Sequence, residues 1–69
     1  MFKELNFSEY SFDQMRNWLA VHHYTYDAEM MDWVAFEKDY YCICVWDKAD
    51  FYILYYGRDG KLNRVEVEH

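Results

Sequence analysis

Sixty-nine residues that are 54% hydrophobic and 23% aromatic exclude a disordered chain, whose signature is few aromatics and low hydrophobicity, and set the size at one small domain spanning residues 1–69. Thirteen acidic residues against seven basic ones give a formal charge of −6, which opposes binding to nucleic-acid phosphate and anionic lipid and favours basic partners. With no proline and only two glycines, the chain offers no linker or low-complexity segment, and it shows no internal repeat.

The first ten residues, MFKELNFSEY, carry acids where a signal peptide needs an apolar core. The longest apolar run, Tyr40 to Trp46, is far below the length of a membrane span. The reading is a cytoplasmic protein. Within the opening segment Phe2, Leu5 and Phe7 are apolar at irregular spacing, which suits a short edge strand or an extended arm laid on the core.

From Ser11 the signal sharpens. Ser11 and Gln14 have the S-x-x-Q spacing of a capping box, in which two side chains satisfy amide groups left free at a helix start. Tyr10 and Met15 stand at the positions of a hydrophobic staple. Phe12, Met15, Leu19 and His22, with Trp18 alongside, form one apolar stripe at helical spacing, while Asp13, Arg16, Asn17 and Ala20 face away. This predicts a helix from Phe12 to His23 that roofs a sheet.

Between Tyr24 and Lys38 the pattern allows two readings. Either Asp27 caps a second short helix through Ala28, Glu29, Met30 and Met31, or Met31 to Glu37 alternates like a strand, with Trp33 and Ala35 on one side and Val34 and Phe36 on the other, a reading that leaves room for a helical turn at residues 27–30. The strand is the favoured reading, because Trp, Val and Phe suit a pleated surface.

The rest of the chain reads as an antiparallel meander. YYCICVW, a charged four-residue turn at Asp47 to Asp50, FYILYY, and a final strand from Leu62 to Val67 follow one another. Asp59-Gly60 supplies the hairpin signal, since glycine accepts a positive φ and aspartate tolerates it. Arg64, Glu66 and Glu68 give the last strand the charge of a protected edge. The predicted fold class is α+β, with one N-terminal amphipathic helix packed on a three- to four-stranded antiparallel β-meander.

Phe51 to Tyr56 is apolar or aromatic at every position, so both faces of that strand need cover. Sorting by polarity places the dry residues Ile43, Val45, Phe51, Ile53, Val65 and Val67 under the helix. Tyr40, Trp46, Tyr52, Leu54 and Tyr56 then fall on the opposite face. Tyr and Trp are enriched where proteins meet proteins, which makes this face the candidate binding surface.

No catalytic motif is present, and the expectation is a non-enzyme without cofactor or metal. His22, His23, Cys42 and Cys44 are ligand types for zinc, but their spacing matches no standard pattern. Cys42 and Cys44 suit a reducing compartment as small hydrophobes. The carboxylates have an ordinary reading as solubilising charges, and a functional one as a rim around the aromatic patch that docks into a basic groove.

The leading expectation is a stoichiometric inhibitor of a basic nucleic-acid-handling protein. The anchors would be Tyr40, Trp46, Tyr52 and Tyr56, and the charged rim Asp32, Glu37, Asp39, Asp47 and Asp50. In overall profile the chain is similar to the small anti-defence proteins of phages and mobile elements, anti-CRISPR proteins among them, and to nuclease immunity proteins. The partner is then a protein with a basic surface, with no direct nucleic acid and no membrane. The alternatives are a homodimer or larger homo-oligomer that buries the aromatic face, and a single-strand nucleic-acid binder that uses it as a stacking platform.

Overall fold

The computed structural model describes residues 2–31 and 38–69. Two short 3-10 turns, Phe2–Glu4 and Phe7–Glu9, precede one helix, α1 (Phe12–Val21). Four strands follow: β1 (Thr25–Met30), β2 (Tyr41–Asp47), β3 (Asp50–Tyr56) and β4 (Leu62–Glu68). They pair antiparallel in the order β1-β2-β3-β4, an up-and-down meander with α1 packed on one face.

The capping box starts α1. The Ser11 hydroxyl accepts from the Gln14 amide at 3.2 Å, and the Gln14 carbonyl oxygen accepts from the Ser11 amide at 2.9 Å. The Phe12 amide donates to the Gly60 carbonyl at 2.9 Å, which ties the helix start to the β3–β4 loop. The helix stops at Val21 rather than His23. His23 turns out of it at φ 61°, in the left-handed conformation that commonly ends helices.

Met15 and Leu19 from the predicted stripe are fully buried, together with Ile43, Val45, Leu54 and Tyr56. Phe12 and Trp18 pack at the margin of this core. His22 lies outside it, exposed, with its ring stacked on Trp18 at 4.1 Å.

The opening segment forms neither an edge strand nor an extended arm. Its 3-10 turns drive Phe2 into the core, where the ring meets Phe7, Tyr52, Tyr24 and Trp18 at centroid distances of 4.9, 5.0, 5.5 and 6.0 Å. Offset and edge-on aromatic pairs of this kind add about 0.5–1.5 kcal/mol each beyond the area they bury. The first residues of the chain thus complete the core of a protein too small to leave them out.

The segment after α1 also departs from expectation. Residues 27–30 are strand, not a helical turn, and β1 begins at Thr25. Its alternation is half polar: Tyr26 and Ala28 face the core, while Thr25, Asp27 and Glu29 are exposed. An edge strand needs no more than that on its inner side, so β-propensity alone understates it. The strand expected from Met31 to Glu37 falls, beyond Met31, outside the described residues.

Register decides the faces. In the β2–β3 hairpin Asp47 pairs with Asp50 across a two-residue loop in which Lys48 takes φ 57°. Val45 therefore lies opposite Tyr52, and Ile43 opposite Leu54. Val67 and Val65 continue the same face opposite Tyr52 and Leu54. In the β3–β4 connection Gly60 adopts φ 83°, and the Asp59 carboxylate accepts from the Lys61 amide at 3.0 Å. A bulge between Tyr55 and Tyr56 brings Leu62 onto the core side, opposite Tyr56.

The sorting of β3 by polarity is overturned. Tyr52, Leu54 and Tyr56 are the core residues of the strand; Phe51, Ile53 and Tyr55 face the other way. The reason is parity. Any hairpin loop with an even number of residues, two or four, sets Trp46 opposite Phe51 and so commits the two to one face.

Candidate functional site

The face of the sheet turned away from α1 is built from alternate residues of all four strands. Cross-strand pairing lays it out in three rows: Thr25, Trp46, Phe51, Glu68; then Asp27, Cys44, Ile53, Glu66; then Glu29, Cys42, Tyr55, Arg64. The two inner strands contribute sulfur, aliphatic and aromatic side chains, and the two edge strands contribute mostly carboxylates. An apolar stripe thus runs along the middle of the face with acids on both margins.

Trp46 is 43% exposed, the largest ring so presented among the described residues. It leans on Phe51 with centroids 5.1 Å apart at 44°. Phe51, Ile53, Tyr55, Cys42 and Cys44 are half-buried, and none of them joins the core cluster. Both 3-10 turns and α1 lie on the opposite side, so among the described residues no helix covers this stripe.

At one end of the face a polar network is locked. The Arg64 guanidinium lies 3.8 Å over the Tyr55 ring and pairs with Asp39 at 3.0 Å and Glu66 at 2.8 Å. The Tyr55 hydroxyl donates to Glu66 at 2.9 Å, and the Asn63 amide donates to Asp39 at 3.0 Å. The Asp39 hydrogen bond raises the Arg64 pKa further above its already high ordinary value. This cation is held by two carboxylates, and it is the sole basic residue among the outward positions of the four strands. Asp27, Glu29 and Glu68 face outward and form no ion pair among the described residues.

The thiols are quiet. Burial, then the neighbouring Cys44 and Glu29, push the Cys42 thiol up to about 11. Cys44 is raised by burial and by Glu29 and Asp27 across the strand. Both stay protonated near neutral pH, the inert state for a cysteine. His22 and His23 end the helix on the opposite side of the sheet, so the four candidate zinc ligands are divided between two faces. Among the described residues no group of three or more His, Cys, Asp or Glu gathers to hold a metal.

The structure divides the residues named from sequence. Trp46 lies on the open face, in the row nearest the β2–β3 hairpin. Tyr52 and Tyr56 are core residues, 4% and 0% exposed, and are corrected as anchors for the parity reason given above. Burial raises both phenols, with Asp50 and Asp47 adding to the effect at Tyr52. Tyr40 precedes β2, edge-on to Tyr41 at 4.7 Å with Arg58 lying 4.5 Å over its ring.

Asp39 is 8% exposed and engaged with Arg64 and Asn63, so it is a buried structural carboxylate and not part of a solvated rim. Asp47 and Asp50 close the β2–β3 hairpin, where Asp50 contacts His69 at 2.8 Å. Asp32 and Glu37 lie outside the described residues.

Sequence reasoning missed Phe51, Ile53 and Tyr55 as face residues, and Asp27, Glu29, Glu66 and Glu68 as its margins. The even-length β2–β3 loop was the signal for the first three. For the acids it was the alternation of charge in DAE and RVEVE.

These features define a class: a small α+β protein with a helix-covered sheet whose second face is apolar along its centre and acidic at its edges. Comparison with known protein families, with curated proteins and with solved structures finds no match. Among the described residues no helix is long and apolar enough to cross a membrane.

Proposed function

We propose that this chain is a non-catalytic binding protein of the cytoplasm that occupies the basic surface of a nucleic-acid-handling protein and blocks it stoichiometrically. That is the mode of action of the anti-CRISPR-like and nuclease-immunity proteins whose profile it shares. The observation that carries the reading is the open face, with Trp46 and Phe51 presented beside Asp27, Glu29 and Glu68, which form no ion pair among the described residues. Exposed aromatic anchors supply contact area at little entropic cost and slow release, while the acidic margins speed encounter with a cationic partner.

The same layout disfavours the alternatives. Two copies packed face to face would bring acidic margins against acidic margins, and a nucleic acid would meet carboxylates with one cation already engaged by Asp39 and Glu66. The anchor set becomes Trp46, Phe51 and Tyr55, and the rim Asp27, Glu29, Glu66 and Glu68; Asp47 and Asp50 leave the rim, because their pairing puts them on the helix side of the hairpin with Val45 and Tyr52.

The test is capture of basic proteins from a host-cell lysate by tagged wild-type protein at low and high salt, beside Trp46→Ala and Asp27→Lys. Trp46→Ala should lower retention at least tenfold at both salts. Asp27→Lys should lower it mainly at low salt. Equal retention by correctly folded variants sinks the assignment of this face.

A further inference from the structure

The open face also carries information on what kind of basic surface it fits. Resting on the reading above, we propose that it fills a groove that normally binds single-stranded nucleic acid, with Trp46 and Phe51 in the place of stacked bases and the flanking carboxylates in the place of phosphates.

Three physical features favour a single-strand groove over a duplex-binding one. The first is charge density. On one face of a strand, alternate residues recur every ~6.7 Å, so Asp27-Glu29 and Glu66-Glu68 each form a row with one carboxylate per ~6.7 Å. A duplex presents one charge per ~1.7 Å of helix axis with both strands counted, and phosphate contacts supply a large share of the affinity of the proteins that bind it. Four carboxylates, one of them paired with Arg64, are too sparse to compete for such a surface.

The second feature is shape. The two rows are three strand spacings apart, ~14 Å, and the space between them is filled by side chains of β2 and β3. A recognition helix needs a groove ~12 Å wide and ~8.5 Å deep to enter. A pleated sheet face offers no such depth, and it suits a shallow platform.

The third is the stripe itself. Single-strand grooves combine a cationic track with aromatic side chains, and each stacked base is worth ~1–3 kcal/mol there. The half-exposed rings of Trp46 and Phe51, 5.1 Å apart, present adjacent π faces and edges to such a platform. Carboxylates to either side meet the lysines and arginines that would otherwise track a backbone.

The experiment uses two resins, single-stranded and double-stranded DNA-cellulose, each loaded with the same host lysate and washed at low salt. Each is then eluted with increasing concentrations of the intact protein, and the released proteins are quantified by mass spectrometry. Wild type should release proteins from the single-strand resin at a concentration at least tenfold below that needed on the duplex resin. Trp46→Ala and Phe51→Ala should each lose at least tenfold of that potency, as should Asp27→Lys, while keeping the wild-type circular dichroism spectrum.

Equal release from the two resins overturns the single-strand assignment and leaves the wider function standing. Undiminished release by both aromatic variants overturns it too, since acids alone would then suffice. No release from either resin overturns it as well. If the capture experiment still retains a basic protein in that case, the failure belongs to this inference alone; if it retains none, both readings fall.

Discussion

The Tyr56 hydroxyl is fully buried and has no hydrogen-bond partner among the described residues. A hydroxyl taken out of water without compensation costs ~1–3 kcal/mol. Tyr56→Phe deletes that group and leaves intact the ring that meets Phe12 at 5.6 Å. The variant should therefore be more stable than wild type by ~1 kcal/mol at pH 7, or ~4–8 °C in Tm for a domain of this size.

The pH dependence sharpens the test. Burial raises the phenol pKa above its ordinary value of 10.0, so the folded state holds this proton more tightly than the unfolded chain does. The stability contributed by the protonated phenol is complete below pH 10. It is lost above that pH at ~1.4 kcal/mol per unit, because only the unfolded chain ionises the group. Phenylalanine cannot ionise, and the advantage of the variant should grow from ~1 kcal/mol at pH 7 to ~2.5 kcal/mol at pH 11. Urea denaturation followed by far-UV circular dichroism at the two pH values measures both numbers. A variant less stable than wild type at pH 7, or an advantage that stays flat up to pH 11, would refute the argument.

Other consequences follow from the division of the sheet into a core face and an open face. Tyr52→Ala should cost ~3–5 kcal/mol by opening a cavity beside Phe2 and Phe7, whereas Trp46→Ala on the open face should cost under ~1 kcal/mol; paired urea titrations compare them directly. Asp39→Ala strands Asn63 and loosens Arg64, and should destabilise by ~1–3 kcal/mol, with the loss only partly screened by 1 M salt because the carboxylate is buried. Alkylation of Cys42 by iodoacetamide should be slow at pH 8 and accelerate until about pH 11, where the thiol titrates; a plateau near pH 8.5 would show an ordinary exposed cysteine.

How much of this could be read in advance depends on the range of the interaction concerned. The capping box at Ser11 and Gln14, the stripe of Met15 and Leu19, and the turn at Asp59-Gly60 are all local devices, and each forms as its residues indicate. The meander from Tyr41 onwards is equally plain, because β-branched and aromatic runs broken by short polar turns leave few alternatives. β1 was hidden because half its positions are polar, as an edge strand permits. Phe2 was hidden because nothing in a three-residue turn announces that its ring will be the centre of an aromatic cluster.

The anchors illustrate the boundary. Trp46 could be placed on the open face from alternation within its own strand, and the structure agrees. Tyr52 and Tyr56 were misplaced because polarity ranks Phe and Ile as drier than Tyr, while register answers only to the loop that joins the strands. The fold instead buries two tyrosines, one of them with no hydroxyl partner among the described residues, and leaves Phe51 and Ile53 half-exposed.

Sequence by itself determined the class of the fold, the start of its helix, the turn before its last strand and the acidic sign of its surface, since each follows from neighbours within a few residues or from composition. Tertiary structure alone decided which aromatic residues are core and which lie on the face away from the helix, and that Asp27, Glu29, Glu66 and Glu68 would border one stripe. Those residues come from opposite edges of the sheet, and a shift of a single residue in pairing would have turned any strand's whole set to the other side.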